Sequence, residues 1–462
     1  MSGTTTELST AIASLADRVR GPVFTPDAAE YDAERTGFQL LGPHRPAVIV
    51  GATDARDIRA AVGFAAAHGA RVAVQAGGHG LNAALEGGVL IGTRRMSDVR
   101  VDPRARTAWV EAGANWQQVI DAAAPHGLAP LAGSSPGVGA VSYTLGGGVG
   151  LMARRHGFAS DHVRRFDLVT ADGHLRRVTP EEEPDLFWAL RGGGGNFGVV
   201  TGMEIDLVPV NALYGGGLYF DVEQVPGVLE SWRRWTADVP EELTSAVSML
   251  PFPDLLVVPE ALRGRHVAQI QIAYLGAEEE GARLVEPLRA LGPSLRDTLR
   301  VLPFSESSKV FDEPDQAHAY RSANLLLPDL DPEALATLPK LAGPSAPVMC
   351  VVGIRHLGGA LARPPKTASA VGHRDAGYSL GVLSPVAPGE EDLVRATHLE
   401  ALEPWRGEEI GRSLNFSFGP LDEEQVRSAF APRDYRRLTE LRARHDPHAL
   451  FHSNHPIPPA GG

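Results

Sequence analysis

Residues 74–82 read VQAGGHGLN, and the histidine in this stretch decides how the chain is read. RVAVQA (71–76) is a short apolar run of strand character that delivers the chain to Gly77, Gly78, His79 and Gly80. Glycines allow tight turns and let a bound molecule approach the backbone closely. A histidine set among them has little local packing to restrain its ring, so something beyond the loop must hold it.

Two further glycine-rich stretches lie in the same half of the chain: AGSSPGVGAVSYTLGGGVG (132–150) and RGGGGNFGVV (191–200). Consecutive backbone N–H groups in such loops form concave anion sites suited to a pyrophosphate. One loop would only mark a turn; three, each beside an apolar segment, point to a dinucleotide. The Rossmann arrangement does not fit. Gly193, Gly195 and Gly198 match G-x-G-x-x-G, but a strand follows them where a helix is required. Gly148–Ala153 matches the alanine variant, yet Gly157 ends any following helix within about two turns, short of a crossover helix.

The surroundings read as α+β. RPAVIVGAT (45–53) is a strand, and DARDIRAAVGFAAAHG (54–69) an amphipathic helix stopped at Gly69. TAWVEAGA (107–114) is a strand and NWQQVIDAAAPHG (115–127) a helix, while FDLVTADGHLRRV (166–178) is a hairpin turning at Asp172-Gly173. EEEPDLFWALRG (181–192) is a short helix and NFGVVTGMEIDLVPV (196–210) a strand. From Asn211 the glycine loops thin out and strands such as HVAQIQIAYLG (266–276) alternate with helices, a second lobe on an antiparallel sheet. The expected division is 1–210, with a core from about residue 41, then 211–414, and a C-terminal segment 415–462.

Composition narrows the function. The 462 residues are 43% hydrophobic and 21% charged, ordinary for a globular protein, and the net charge of −13 argues against a nucleic-acid partner. No apolar run is long enough to span a membrane, and MSGTTTELSTAIASLADRVR (1–20) lacks the basic start and apolar core of a signal peptide, so the expected location is cytoplasmic. Cys350, the single cysteine, sits in apolar surroundings and reads as a core thiol. His445, His448, His452 and His455 near the end cannot share one helix face, because Pro447 and Pro456 interrupt it; no metal is expected.

QAGGHG (75–80), PLAGSSPGVGAVSYTLGGGVGLMARRHGFASDHV (130–163), DLFWALRGGGGNFGVVT (185–201) and YRRLTELRARHDPHALFHSNHPIPP (435–459) resemble the berberine bridge enzyme-like FAD-linked oxidases of the vanillyl-alcohol oxidase superfamily. The resemblance covers almost the whole chain, with the motifs in the family's order. It implies a two-lobed PCMH-type FAD-binding domain carrying an inserted substrate lobe on a large antiparallel sheet. It implies that FAD lies against Gln75, Ala76, Gly77, Gly78, His79, Gly80, Gly113, Ser134, Ser135, Gly139, Gly146, Gly147, Gly150, Val200, Asn415 and Asn454. His79 matches the histidine joined covalently to the flavin 8α-methyl. Many relatives add a second link through a cysteine; Ser135 stands there, so a single attachment is expected.

The implied activity is oxidation of a small organic molecule, with hydride passing to flavin N5 and molecular oxygen giving hydrogen peroxide, in tailoring of a bacterial secondary metabolite. A dehydrogenase with another acceptor, or a flavin-bearing binding protein, remains the alternative. The base is open. Sugar-oxidising relatives use a Tyr-x-Asn motif; GRSLNFSFG (411–419) keeps Asn415 but has Ser413 in place of the tyrosine. Tyr143, His356, Tyr378 and Tyr435 are the remaining candidates.

Overall fold

The computed structural model describes residues 11–461. Its first sheet runs in the order β1 (Val23–Phe24), β2 (Val48–Gly51), β4 (Val89–Gly92), β3 (Val72–Gln75), with β2, β4 and β3 parallel. VIVG and VLIG are buried at every position, as parallel strands covered on both faces must be. The helix Ala55–Ala67 packs on this sheet. Asp54 caps its start by accepting from the Arg56 and Asp57 amides, and Gly69 takes a positive φ of 61° just beyond its end.

The second sheet is antiparallel: β5 (Val99–Asp102), β6 (Thr107–Glu111), β9 (Val199–Asp206), β7 (Val163–Val169) and β8 (Leu175–Val178), in that order. The β7–β8 hairpin turns at Asp172-Gly173, whose glycine has φ 76°. Asn115 and Gln118 form a reciprocal capping box on the helix Trp116–Ala123.

Eight antiparallel strands make the third sheet: β10 (Ala212–Asp221), β11 (Leu243–Pro251), β12 (His266–Tyr274), β13 (Ser294–Asp297), β14 (Arg300–Pro303), β15 (Tyr320–Leu327), β16 (Val351–His356) and β17 (Tyr378–Pro385). The architecture is therefore the α+β, two-lobed one with a large antiparallel sheet. Alternation gives this sheet two different faces. Val247, Met249, Ile270, Ile272, Val352, Ile354, Leu380 and Val382 pack with the helices Val228–Thr236, Glu278–Arg289, Pro332–Leu341 and Glu391–Leu402 into one core, and buried Cys350 belongs to it. Burial pushes that thiol up to about 11, as suits an inert core residue. The opposite face is polar and turns toward the glycine loops.

Two devices hold the layers together. Arg154, 6% exposed, donates to the Leu243, Leu357 and Val239 carbonyls and to the His356 ring, tying a glycine-loop segment to the end of the third sheet. Arg154→Ala strands these buried acceptors, so we expect a loss of about 3 kcal/mol, read as a lower urea midpoint. At the other end the helix Pro432–His445 stops at Asp446, whose carboxylate pairs with Arg442 at 2.9 Å and accepts from the Leu450 and Phe451 amides. The tail then bridges beside Val72 on β3. Among the described residues no helix is long and apolar enough to cross a membrane.

Candidate active site

The loop after β3 is clamped by the extended segment around Phe38 and Gln39. The Phe38 amide donates to the Gly77 carbonyl at 2.8 Å and the Gln39 amide to that of Gly78 at 3.0 Å. This strap lays the Phe38 ring flat on His79, with centroids 3.9 Å apart and planes inclined by 10°. His318 and Tyr320 stand edge-on to Phe38, and the Tyr320 hydroxyl donates to the His79 carbonyl at 2.6 Å. The His79 Nδ1 atom is buried without a hydrogen-bond partner. Burial lowers the imidazole to about 4, so the ring is neutral at neutral pH. Nothing in the local sequence marks Phe38 as its neighbour, because the two are brought together only by pairing of the strap with the loop.

Around His79 the backbone is crowded at Gly78, where a Cβ would come within 2.6 Å of the Gly37 Cα, but open at Gly77, Gly80 and Gly137. A Cβ at Gly77 would meet nothing nearer than 3.4 Å, its nearest neighbours being the His79 ring and the Gly137 carbonyl oxygen; at Gly80 it would meet only Asn454, at 3.8 Å, and at Gly137 only His79. Those glycines are therefore not demanded by internal packing, and they leave an open backbone groove. Gln75 Oε1, Tyr143 Oη and His455 Nδ1 are also buried and unpartnered on or beside the loops. A bare glycine groove with orphaned polar atoms fits a large polar cofactor with a pyrophosphate.

The second loop lies alongside. Ser134 Oγ accepts from Arg355 at 3.1 Å, and the half-buried Ser135 hydroxyl makes no hydrogen bond to another described residue. Gly139 precedes the helix Ala140–Leu145, and Gly147 has φ 102°. Asn415 packs against Gly146 and donates to the Tyr143 carbonyl at 2.9 Å. In the third loop Asn196 binds the tail through the His455 carbonyl, Ser453 Oγ and the Ile457 amide. Asn454 accepts from the Asn82 amide, so its placed role is to lock the tail onto the His79 loop.

The polar face of the third sheet forms the opposite wall. Strand register sets Gln271, Ala246, Arg355 and Ser379 in one row and Gln269, Ser248, Gly353, Gly381 and Asn324 in the next. A Cβ on Gly353 would meet nothing within 4 Å, and one on Gly381 only loose neighbours from 3.7 Å, so the centre of the sheet carries an open bay. Two clefts adjoin it. One is lined mainly by Val149, Phe158, Leu326, Leu357, Phe416 and Phe430, with Arg412 and Ser413 among its polar groups. The other is lined by Gly150, Thr244, Gln271, Phe311, Arg355 and His356. Asn324 grips Ser413 from both sides, accepting from its amide at 2.8 Å and donating to its carbonyl at 3.0 Å.

The four candidate bases do not meet in this cleft. Tyr378 faces the helix layer, edge-on to Trp232, with its hydroxyl on Thr236 at 2.6 Å. His356 stacks on Tyr378 and accepts from Arg154 at 2.7 Å; burial and that cation push it down to about 3, away from a working base. Tyr435 packs on Phe430 in the core, its hydroxyl 3.5 Å from Glu423. Tyr143 is wedged against Trp116 beneath the glycine loop, and burial raises its phenol so that it stays protonated. Strand parity, invisible without the sheet register, sets the side chains of His356 and Tyr378 on the helix side of the third sheet, although His356 still borders the smaller cleft, and helix packing buries Tyr435. Val200 likewise points its side chain into the core, and Gly113 sits where the backbone passes close to Thr93. Of the tail histidines, His452 Nε2 bonds the Ala83 carbonyl and His455 Nε2 the Leu414 carbonyl; no group of metal-ligating side chains occurs among the described residues.

Several histidines share the environment of His79. Burial lowers His44, His156, His398 and His455 to about 4. Below the free-histidine value of about 6.5 the unfolded chain binds protons that the folded one refuses, so stability falls with pH through this window. Thermal unfolding from pH 7 to 4 should show the midpoint dropping steadily below about pH 6.5; a flat profile would contradict the buried, neutral assignment.

Residues 46–179 match the FAD binding domain family. (R)-6-hydroxynicotine oxidase of Paenarthrobacter nicotinovorans is 29% identical over 462 residues, covering 96% of this chain and 98% of that protein. The crystal structure of 6-hydroxy-D-nicotine oxidase from Arthrobacter nicotinovorans superposes with a TM-score of 0.83 at 26% identity, over 95% of this chain and 98% of the other. Glucooligosaccharide oxidase from Acremonium strictum, described with a 6-S-cysteinyl, 8α-N1-histidyl FAD, shares the fold with a TM-score of 0.83 at 20% identity, over 98% and 99% of the two chains. Fold, glycine groove and relatives together define an FAD-linked oxidoreductase. Within that class the chain is similar over nearly its whole length to the 6-hydroxynicotine oxidases, and it shares its fold with BBE-like 1 of Physcomitrella patens.

Proposed function

We propose that FAD is joined to this protein through His79 alone and that the enzyme oxidises a small organic molecule lying in the bay over Gly353 and Gly381. The observation that carries this reading is the neutral, unpartnered His79 ring held flat on Phe38 beside open glycine backbone. The bound flavin supplies a two-electron acceptor that takes hydride at N5 and returns the electrons to dioxygen, giving hydrogen peroxide. The chain's own residues do the rest. His79 fixes one edge of the cofactor, the loops at 75–80 and 132–150 cradle it, and the polar face of the third sheet presents the substrate. Ser135 offers a hydroxyl where a thiol would make a second bond, and Cys350 is on the far face of the sheet. The division of labour follows 1–210 and 415–462 for the cofactor and 211–414 for the substrate. We place the reaction in the tailoring of a bacterial secondary metabolite; the Arg-, Ala-, Gly- and Pro-rich composition suits a GC-rich genome.

Peptide mass spectrometry of the purified protein should find flavin on the peptide containing His79 and on no other. Anaerobic substrate should bleach it and air should restore the colour with formation of peroxide; slow recovery in air would favour another acceptor. Phe38 gives a separate handle. Phe38→Leu removes the flat stack, worth about 0.5–1.5 kcal/mol, so the imidazole samples other orientations and attachment slows about three- to tenfold. Total bound flavin should hold while the acid-stable fraction lags in a time course, and Phe38→Tyr should restore the wild-type rate.

A further inference from the structure

We infer that the substrate carries an anionic oxygen, a carboxylate or a phenolate, and that Arg355 is the residue that recognises it; this deepens the reading of the cleft as the site of a flavin oxidase. On the cleft side of β11, β12, β15, β16 and β17, strand parity places Ala246, Ser248, Gln269, Gln271, Ser322, Asn324, Gly353, Arg355, Ser379 and Gly381. Among these Arg355 is the single charge, and none is a carboxylate. The rings of Phe311 and Phe416 both lie against it, with centroids 4.6 Å and 4.7 Å from the guanidinium carbon. Contacts of this kind leave the N–H groups along the edge of the fork for hydrogen bonding.

That edge is underused. A guanidinium has five N–H donors, and here one is spent, on Ser134 Oγ at 3.1 Å. Glu313, the one facing carboxylate, approaches to 3.8 Å, beyond hydrogen-bond distance. In the register row, Ala246 and Ser379 flank Arg355 with small side chains that leave the edge uncovered. The Ser134 contact places the cation on the second glycine loop, next to Ser135, while the open Gly353 lies two residues back on the same strand. A planar anion in the bay would accept a bidentate pair from the free N–H groups, with Phe311 and Phe416 excluding competing water. For a phenolic substrate the same charge also bears on the lack of an evident base: a phenol that enters already ionised, or is held ionised by Arg355, has no phenolic proton left to lose.

The test uses the purified flavin-loaded enzyme, with benzoate, its neutral counterpart benzamide, and 4-nitrophenol titrated against the flavin absorbance. Benzoate or ionised 4-nitrophenol should bind at least about tenfold more tightly than benzamide, and Arg355→Met should abolish that preference. Arg355→Lys, which keeps the charge but not the fork, should retain part of it and guards against a misfolded Met variant. Tighter binding of benzoate identifies the carboxylate; binding of 4-nitrophenol that appears only above its ionisation identifies the phenolate. Equal binding of benzamide, unchanged anion binding in both variants, or no spectral response to any of the three at millimolar concentration would overturn the assignment. A preparation without flavin would instead refute the oxidase reading on which it rests.

Discussion

His79→Ala is expected to turn a protein whose flavin survives acid precipitation into one that releases all of it. The imidazole is neutral, unpartnered at Nδ1 and clamped between the Phe38 ring and the groove at Gly77 and Gly137. No other nucleophile is placed to replace it: Ser135 is a hydroxyl and Cys350 is buried behind the sheet. The glycine groove itself is untouched by the substitution, so FAD should still bind and colour the protein. Turnover should drop by about an order of magnitude, a barrier increase of about 1.4 kcal/mol, because a flavin without its histidyl link is a weaker oxidant and less firmly placed. Flavin that stays with the variant chain through acid would mean that the bond is made elsewhere.

Gly78→Val should cost more in stability than any other single change in the loop. Gly78 has φ 72°, a left-handed conformation that a β-branched residue resists by about 1–2 kcal/mol. Its Cβ would also come within 2.6 Å of the Gly37 Cα, a backbone atom that cannot swing aside, and 3.3 Å of the Gln75 amide. Overpacking adds about 1–3 kcal/mol and pushes the strap away, taking Phe38 off His79. We expect a total near 3 kcal/mol or more, seen as a large fall in the unfolding midpoint and in flavin content. Gly87→Val is the control: its φ is 68°, but a Cβ there meets nothing within 4 Å, so only the conformational cost remains. Equal effects of the two would show that crowding against Gly37 is not what demands glycine.

Much of this protein can be read from its sequence alone. The strand RVAVQA, the helix 54–69 with its stop at Gly69, the Asp172-Gly173 hairpin and the C-terminal helix stopping before Pro447 all depend on neighbours within a few residues, and local pattern predicts them. The three glycine loops and the FAD class are legible for the same reason: a loop that brings bare backbone to a ligand must be written in consecutive glycines. What surrounds His79 is not local. Phe38 is 41 positions away and Tyr320 is 241; the one reaches the ring and the other the backbone carbonyl of His79 only because a strap pairs with the loop and the third sheet folds over it. The site's charge is a tertiary outcome as well. Arg355 and His356 are adjacent in the chain, yet strand alternation sends Arg355 into the cleft, against Phe311 and Phe416, and His356 to the helix side beside Tyr378. Sequence determined which cofactor this chain can hold, since that is a property of short motifs; which side chains face it was decided by sheet register, where a shift of one residue exchanges the two faces.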